Sequence, residues 1–300
     1  MLSDTGRVKV LYIGGLPRSG TTILTRAVAE LPGFVTAGEL RIFWEYSVCK
    51  NYPCGCGLAF CECPFWRDVM NRAFGGVHQV DAQWMVDQQP RAWHWPWILV
   101  PGNDRRVAKT FEHYLDNLDK LYAAISDASG CRVIIDASKA PRYGLMLSLI
   151  PTIDLYVAHI TRDPRAVQYS MMKRRRGNVK HSIVTSSLRW NVTNALLEVL
   201  GRRVPHRYLR MRYEDFVADP SDSLRRLAAL VGEDQTVLPE IDDGRINLNP
   251  THAALGGSAL LLSGPVEIRL DSVWEQKMEP SLQRRIALAT YPLLRRYGYA

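Results

Sequence analysis

This 300-residue sequence predicts an α/β fold, a central parallel sheet flanked by helices on both faces. Three observations predict it. Short, nearly unbroken apolar runs recur along the chain, as strands buried on both faces require. Stretches with apolar residues at helical spacing alternate with those runs, which is the order of a layered α/β domain. Two of the strand-to-helix junctions, at residues 14–22 and 161–170, carry serine and arginine where the flanking elements are apolar, the first with three glycines as well. Apolar residues make up 47% of the chain, ample for a core, and we read residues 1–300 as one domain.

The first strand is residues 8–13, with Val8, Val10, Leu11, Tyr12 and Ile13, and Gly14-Gly15 ends it. Ile23, Leu24, Ala27, Val28 and Leu31 then recur at helical spacing until Pro32-Gly33 stops the run. Residues 15–20 are therefore a turn whose amides lie at a helix N-terminus, an anion site. A nucleoside-triphosphate loop reads G-x-x-x-x-G-K-[ST]. Gly15 and Gly20 have that spacing, but Thr21 stands at the lysine position and the cation is Arg18 within the loop. That arrangement suits one 5′-phosphate with one further oxyanion. Pro17-Arg18-Ser19-Gly20-Thr21-Thr22 resembles the 5′-phosphosulfate motif of sulfotransferases that use 3′-phosphoadenosine 5′-phosphosulfate (PAPS), in the arginine version of tyrosylprotein, carbohydrate and many bacterial members. The resemblance implies a three-layer P-loop-like fold, PAPS as co-substrate, and Arg18, Ser19, Gly20, Thr21 and Thr22 around its 5′ end.

Residues 34–36 follow as a short strand, then Gly38-Glu39-x-Arg41. This segment resembles the one whose glutamate is the base in tyrosylprotein-type members, so Glu39 is the candidate proton acceptor. A surface salt bridge at a helix start is the plainer reading. Residues 41–130 form an irregular insert that we expect to face the acceptor. It holds Cys54, Cys56, Cys61 and Cys63 in one loop, tighter than the usual C-x-x-C knuckle. Structural zinc, a disulfide staple and reduced thiols are all open for that loop. The insert also holds Trp44, Trp66, Trp84, Trp93, Trp95 and Trp97, which either line an acceptor cleft or fill core beneath loops. Residues 111–126 read as a helix with one apolar stripe.

A buried strand at 131–135 runs into Asp136-Ala137-Ser138-Lys139. Ligands of open parallel sheets sit at the carboxyl ends of strands, so Ser138 and Lys139 are candidates there. The resemblance implies Ser138 at the donor and Lys139 at the sulfuryl group; a solvated lysine is the alternative. The strand at 155–161 leads into Arg162-Asp163-Pro164, with Asp163 an N-cap and Pro164 a first helical residue. Arg162 and Ser170 resemble the family's 3′-phosphate pair, so two turns answer to the two phosphorylated ends of PAPS. The basic run 173–176 is either a cover over an anion or a solvated helix end. A helix at 187–200 puts Trp190 and Asn194 on one face, bordering the nucleotide. Tyr213, after a strand at 208–211, resembles the adenine contact, and Asp219-Pro220 opens a helix. Residues 249–274 read as one long loop, in which His252, Gly256, Gly257 and Ser258 resemble a glycine-rich nucleotide lid. The basic residue expected next is replaced by an apolar run, and Arg269 is the nearest substitute. The last helix spans 281–297.

The resemblance implies transfer of a sulfuryl group from PAPS to a hydroxyl of a small-molecule, sugar or lipid acceptor, with no metal required. Two other readings are an ATP-dependent kinase of P-loop fold, against which Thr21 stands, and a nucleic-acid-binding module built on the 173–176 run; no nucleic acid is expected. The net charge of +8 calls for an anionic partner, which a bisphosphorylated nucleotide satisfies and a peripheral contact with an acidic membrane would too. No apolar stretch is long enough to span a bilayer, and the first strand begins within ten residues, so the expectation is a cytoplasmic protein.

Overall fold

The computed structural model describes residues 6–174, 183–234, 236–254 and 263–300. Strands β1 (Val8–Gly15), β2 (Phe34–Gly38), β3 (Val133–Lys139), β4 (Ile153–Thr161) and β5 (Tyr208–Arg212) form one sheet in the order β2-β3-β1-β4-β5, every pair parallel. β1 is central, which explains its apolar run: Val10 lies opposite Ile134 and Leu155, and Leu11 opposite Ile135 and Tyr156. Because side chains alternate across a strand, these rows supply two separate cores.

Helix α1 (Thr21–Val28) follows β1. The insert carries α2 (Pro64–Phe74), α3 (Ala82–His94), α4 (Asp104–Thr110) and α5 (Glu112–Ser129), the last ended by Gly130 at φ +63°. α6 (Pro141–Leu147) connects β3 to β4, and α7 (Pro164–Arg174) and α8 (Ile183–Arg203) lie between β4 and β5. After β5 come α9 (Tyr213–Ala218) and α10 (Pro220–Leu230), capped by Asp219, whose side chain accepts from the Asp222 amide. α1 and α10 cover Leu11, Ile13, Ile135, Ala158 and Ile160 on one face of the sheet. α5, α6, α8 and the insert cover Val10, Tyr12, Ile134, Leu155 and Val157 on the other. This is the three-layer α/β arrangement.

Two tryptophans of the insert answer to the core reading, and the side chain of Trp93 lies outside the described residues. Trp44 and Trp66 are fully buried among Phe43, Phe60 and Phe74, so they are core. Trp84 packs on His113 and Trp95 on Phe111, while Trp97 is 40% exposed beneath the Arg106 guanidinium.

The long loop expected at 249–274 is corrected by the structure. β6 (Ile241–Asp242), β7 (Arg245–Leu248) and β8 (Gly264–Glu267) form a small antiparallel sheet, with Ile246 opposite Val266. β8 is four residues long with Pro265 inside it, tolerable on an edge strand and too little alternation to read as a strand. α11 (Val273–Lys277) and α12 (Pro280–Arg296) end the chain, and no described helix is long and apolar enough to cross a membrane.

Candidate active site

The carboxyl ends of β1 and β4, adjacent in the sheet, aim their turns at one crevice, where the sheet topology places ligands. Gly20 caps α1 at φ +80°, and a Cβ there would stand 1.9 Å from the Tyr213 ring. Only glycine satisfies both demands. Arg18 also has a positive φ, +77°, unusual for a residue with a side chain. The turn thus lifts the Arg18 side chain to the surface and sinks Ser19 and Thr21, both nearly fully buried. Amides in the first turn of α1 have no acceptor within the helix.

The β4 turn is built in the same manner. The Asp163 side chain accepts from the Arg165 amide at 2.8 Å, capping α7, and pairs with the Arg165 guanidinium at 2.6 Å. Arg162 is 7% exposed. Its Nη1 donates to the Arg18 carbonyl at 3.0 Å, its Nη2 to the Asp271 carbonyl at 3.3 Å, and it lies 4.9 Å above the Tyr213 ring. Its Nε is buried without a hydrogen-bond partner among the described residues. A buried guanidinium with an unsatisfied N–H calls for an anion. Arg18 Nε donates to Ser170 Oγ at 2.8 Å, so the two turns meet through the very side chains expected at opposite ends of the nucleotide.

Glu39 and Lys139 come together at the ends of β2 and β3 as an ion pair, both side chains less than 15% exposed. Lys139 holds φ +66°, a costly conformation of the kind that clusters at functional sites. Glu39 is fixed through its backbone: its amide donates to the Ala254 carbonyl at 3.2 Å, and the Ala254 amide donates to Ala37 at 2.9 Å. Ser138 is buried, not presented at the surface. Its Oγ donates to Asp136 Oδ1 and accepts from the Arg41 amide at 2.9 Å, which aligns the Glu39 segment on β3.

Tyr213 is at the site, its ring on Gly20 and its hydroxyl donating to the Arg269 carbonyl at 3.0 Å, which brings the proposed lid substitute near. Gly256, Gly257 and Ser258 of the lid, and Arg175 and Arg176 of the basic run, lie outside the described residues. Trp190 and Asn194 form a second layer. Trp190 Nε1 donates to the Arg162 carbonyl at 3.1 Å, and Asn194 Oδ1 lies 2.8 Å from His159 Nε2. A cleft lined by Leu16, Pro164, Val167, Met171 and Trp190 opens beside both turns, and Glu39 is not in its lining.

Asp136 is the site residue that sequence reasoning missed. Fully buried under Lys139, it accepts from Ser138 N at 2.9 Å and from the Tyr122 hydroxyl, which itself neighbours Tyr143 at 3.3 Å. Burial pushes its carboxyl up to about 6 in spite of these donors. A lone aspartate in an apolar strand was its only signal.

Two basic turns at adjacent strand ends, with a carboxylate–lysine pair at the ends of β2 and β3, are features that group transfer from an anionic donor would use. Residues 67–236, more than half of the chain, match the sulfotransferase family, and the chain belongs to it. It is an enzyme of sulfuryl transfer. No protein of curated function matches. Among solved structures, the chain is similar to the sulfotransferase domain of the Synechococcus PCC 7002 olefin synthase, at 20% identity and TM-score 0.49 over 98% of this chain and 96% of that one. It is similar to a sulfotransferase from Alicyclobacillus acidocaldarius, at 12% and 0.47 over 96% and 93%. It is also similar to mouse sulfotransferase SULT7A1, solved with PAP, at 12% and 0.46 over 96% and 85%.

Proposed function

We propose that the donor is PAPS and that the sulfuryl group goes to a hydroxyl of a small-molecule, sugar or lipid acceptor. The observation that carries this is the meeting of the two turns: Arg162 on the Arg18 carbonyl at 3.0 Å and Arg18 on Ser170 at 2.8 Å. Two turns so joined, with the Nε of Arg162 still to be satisfied among the described residues, fit a ligand phosphorylated at both ends of one nucleoside. Arg162 and Ser170 would hold the 3′-phosphate, and Arg18, Ser19, Gly20, Thr21 and Thr22 the 5′ end. Tyr213 would take the adenine, with Gly257, Ser258 and Arg269 closing over it. Ser138 enters this reading through Asp136 and the Arg41 amide.

Bound there, PAPS supplies an electrophilic sulfuryl group and an anionic leaving phosphate. Glu39 takes the acceptor's hydroxyl proton as the oxygen attacks. Lys139 is its counter-ion in the structure, so Glu39 becomes a base when the ammonium turns to the sulfuryl oxygens. Arg18 and the α1 amides face charge growing on the phosphate and need no metal for this. We propose residues 1–300 as one domain, with residues 41–130 on the acceptor side and the reaction in the cytoplasm. Transfer of radiolabelled sulfate from PAPS to a panel of phenol, sugar and lipid hydroxyls, without added magnesium, tests it. Labelled product that disappears in Glu39→Gln supports the reading, and transfer undiminished in that variant removes Glu39 from it.

A further inference from the structure

Three sulfurs and one imidazole converge where the insert meets the segment after β7. The Sγ atoms of Cys54, Cys56 and Cys63 and a ring nitrogen of His252 all lie within 4.8 Å of one another. Cys56 Sγ and Cys63 Sγ are 3.8 Å apart, and His252 Nδ1 is 3.3 Å from Cys63 Sγ and 3.9 Å from Cys54 Sγ. A tetrahedral zinc ion with sulfur bonds near 2.3 Å sets its sulfurs about 3.8 Å apart, and sulfur to nitrogen about 3.6 Å. A disulfide needs about 2.05 Å, and all six cysteines are unbridged. Cys61, the fourth cysteine of the loop, is exposed, with its amide on Asn51 Oδ1 at 2.9 Å, and is not in the group.

We propose that Cys54, Cys56, Cys63 and His252 bind one structural zinc ion that fastens the insert to the segment carrying His252. Soft thiolates with one imidazole select zinc among the common divalent ions, and four protein ligands close the site to substrate. The surroundings are those of a ligand shell. The His252 ring stacks on Phe65 at 5.2 Å and 20°, and its carbonyl accepts from Trp66 Nε1 at 2.7 Å. The Gly55 amide donates to the Ala253 carbonyl at 3.0 Å, and a Cβ on Gly55 would meet the Thr251 carbonyl at 2.6 Å, so the two segments are in backbone contact.

The ion has a second consequence. Two residues beyond His252, Ala254 bridges to Gly38 and accepts from the Glu39 amide. Zinc thereby sets the backbone that places Glu39, a part of the inference that rests on Glu39 being the base.

Elemental analysis of protein purified without metal-affinity resin tests the site directly. One zinc per chain is expected, retained in Cys61→Ser and lost in Cys63→Ser and His252→Ala. Should those variants fail to fold, cobalt exchange into the unaltered protein decides instead: thiolate charge-transfer bands and the intense visible bands of a tetrahedral ion are expected. Metal-free protein that takes up neither zinc nor cobalt when reduced overturns the proposal, as does equal loss of metal in Cys61→Ser and Cys63→Ser. Zinc removal is expected to lower turnover about 10-fold or more while leaving nucleotide affinity within about 2-fold. Metal bound with turnover unmoved by its removal would leave the site standing and sink only its link to Glu39.

Discussion

Arg18 joins the two turns, reaching Ser170 with its side chain while its carbonyl receives Arg162. Arg18→Ala should cut turnover by about 10²-fold or more, as loss of an oxyanion donor does. Arg18→Lys should recover only part of this, because an ammonium keeps the charge and loses the planar fork. Glu39→Gln should lower turnover by about 10²- to 10⁴-fold, the usual contribution of a general base, with nucleotide binding retained. Gly20→Ala places a side chain at φ +80° and against the Tyr213 ring. Its cost should be about 1–3 kcal/mol, read as a lowered melting temperature together with weakened nucleotide binding. The glycines, Arg18 and Arg162 were legible in the sequence because each stands within a few residues of the turn it builds. The Glu39–Lys139 pair was not, since its partners are a hundred residues apart and meet only because β2 and β3 are neighbours.

At the scale of elements, β3 and β4 each carry one fully buried titratable group through an apolar strand. Asp136, pushed up to about 6 by burial, has an unfolded value near 3.9. Between those limits the native chain holds a proton that the unfolded chain has lost, so the stability it contributes is full below about pH 4 and is lost as pH rises through 6. His159 is pushed down to about 4 by burial, held between the Tyr208 hydroxyl at 2.7 Å and Asn194. Its unfolded form binds a proton below about 6.5, so its contribution is full above that and is lost as pH falls toward 4. The two oppose each other between about pH 4 and 6. Asp136→Asn removes one and exposes the other: urea unfolding should show the variant losing roughly 2–3 kcal/mol more than the parent on acidification across that window. Equal slopes for the two proteins would contradict the burial argument. The strands of the large sheet and helices α1, α5, α8 and α12 were legible from apolar period, whereas α2, α3 and α4 lay unread in the insert expected to be irregular, and β3 extends four residues beyond the expected end, through Asp136 to Lys139. Polar side chains there hid the strand, and they are tolerated because Ser138 and Tyr122 satisfy the carboxylate.

For the whole molecule, the parallel three-layer plan followed from the alternation of elements, and the crevice from its two turns. A C-terminal lid was expected from the resemblance, but the contacts that the C-terminal third makes were not legible. Arg269 and Asp271 reach Tyr213 and Arg162 through backbone carbonyls, and His252 reaches cysteines nearly two hundred residues away; neither contact depends on a local pattern. On the proposed reading, one crevice holds a nucleotide by both of its phosphorylated ends. Calorimetric titration with 3′-phosphoadenosine 5′-phosphate, AMP and ATP, without magnesium, on the unaltered protein and on Arg162→Ala, tests it most directly. We expect binding of the bisphosphate, at least about 10- to 100-fold weaker binding of AMP, and a loss of similar size in Arg162→Ala. Binding of ATP alone, and only once magnesium is added, or bisphosphate affinity unchanged in Arg162→Ala, would contradict it.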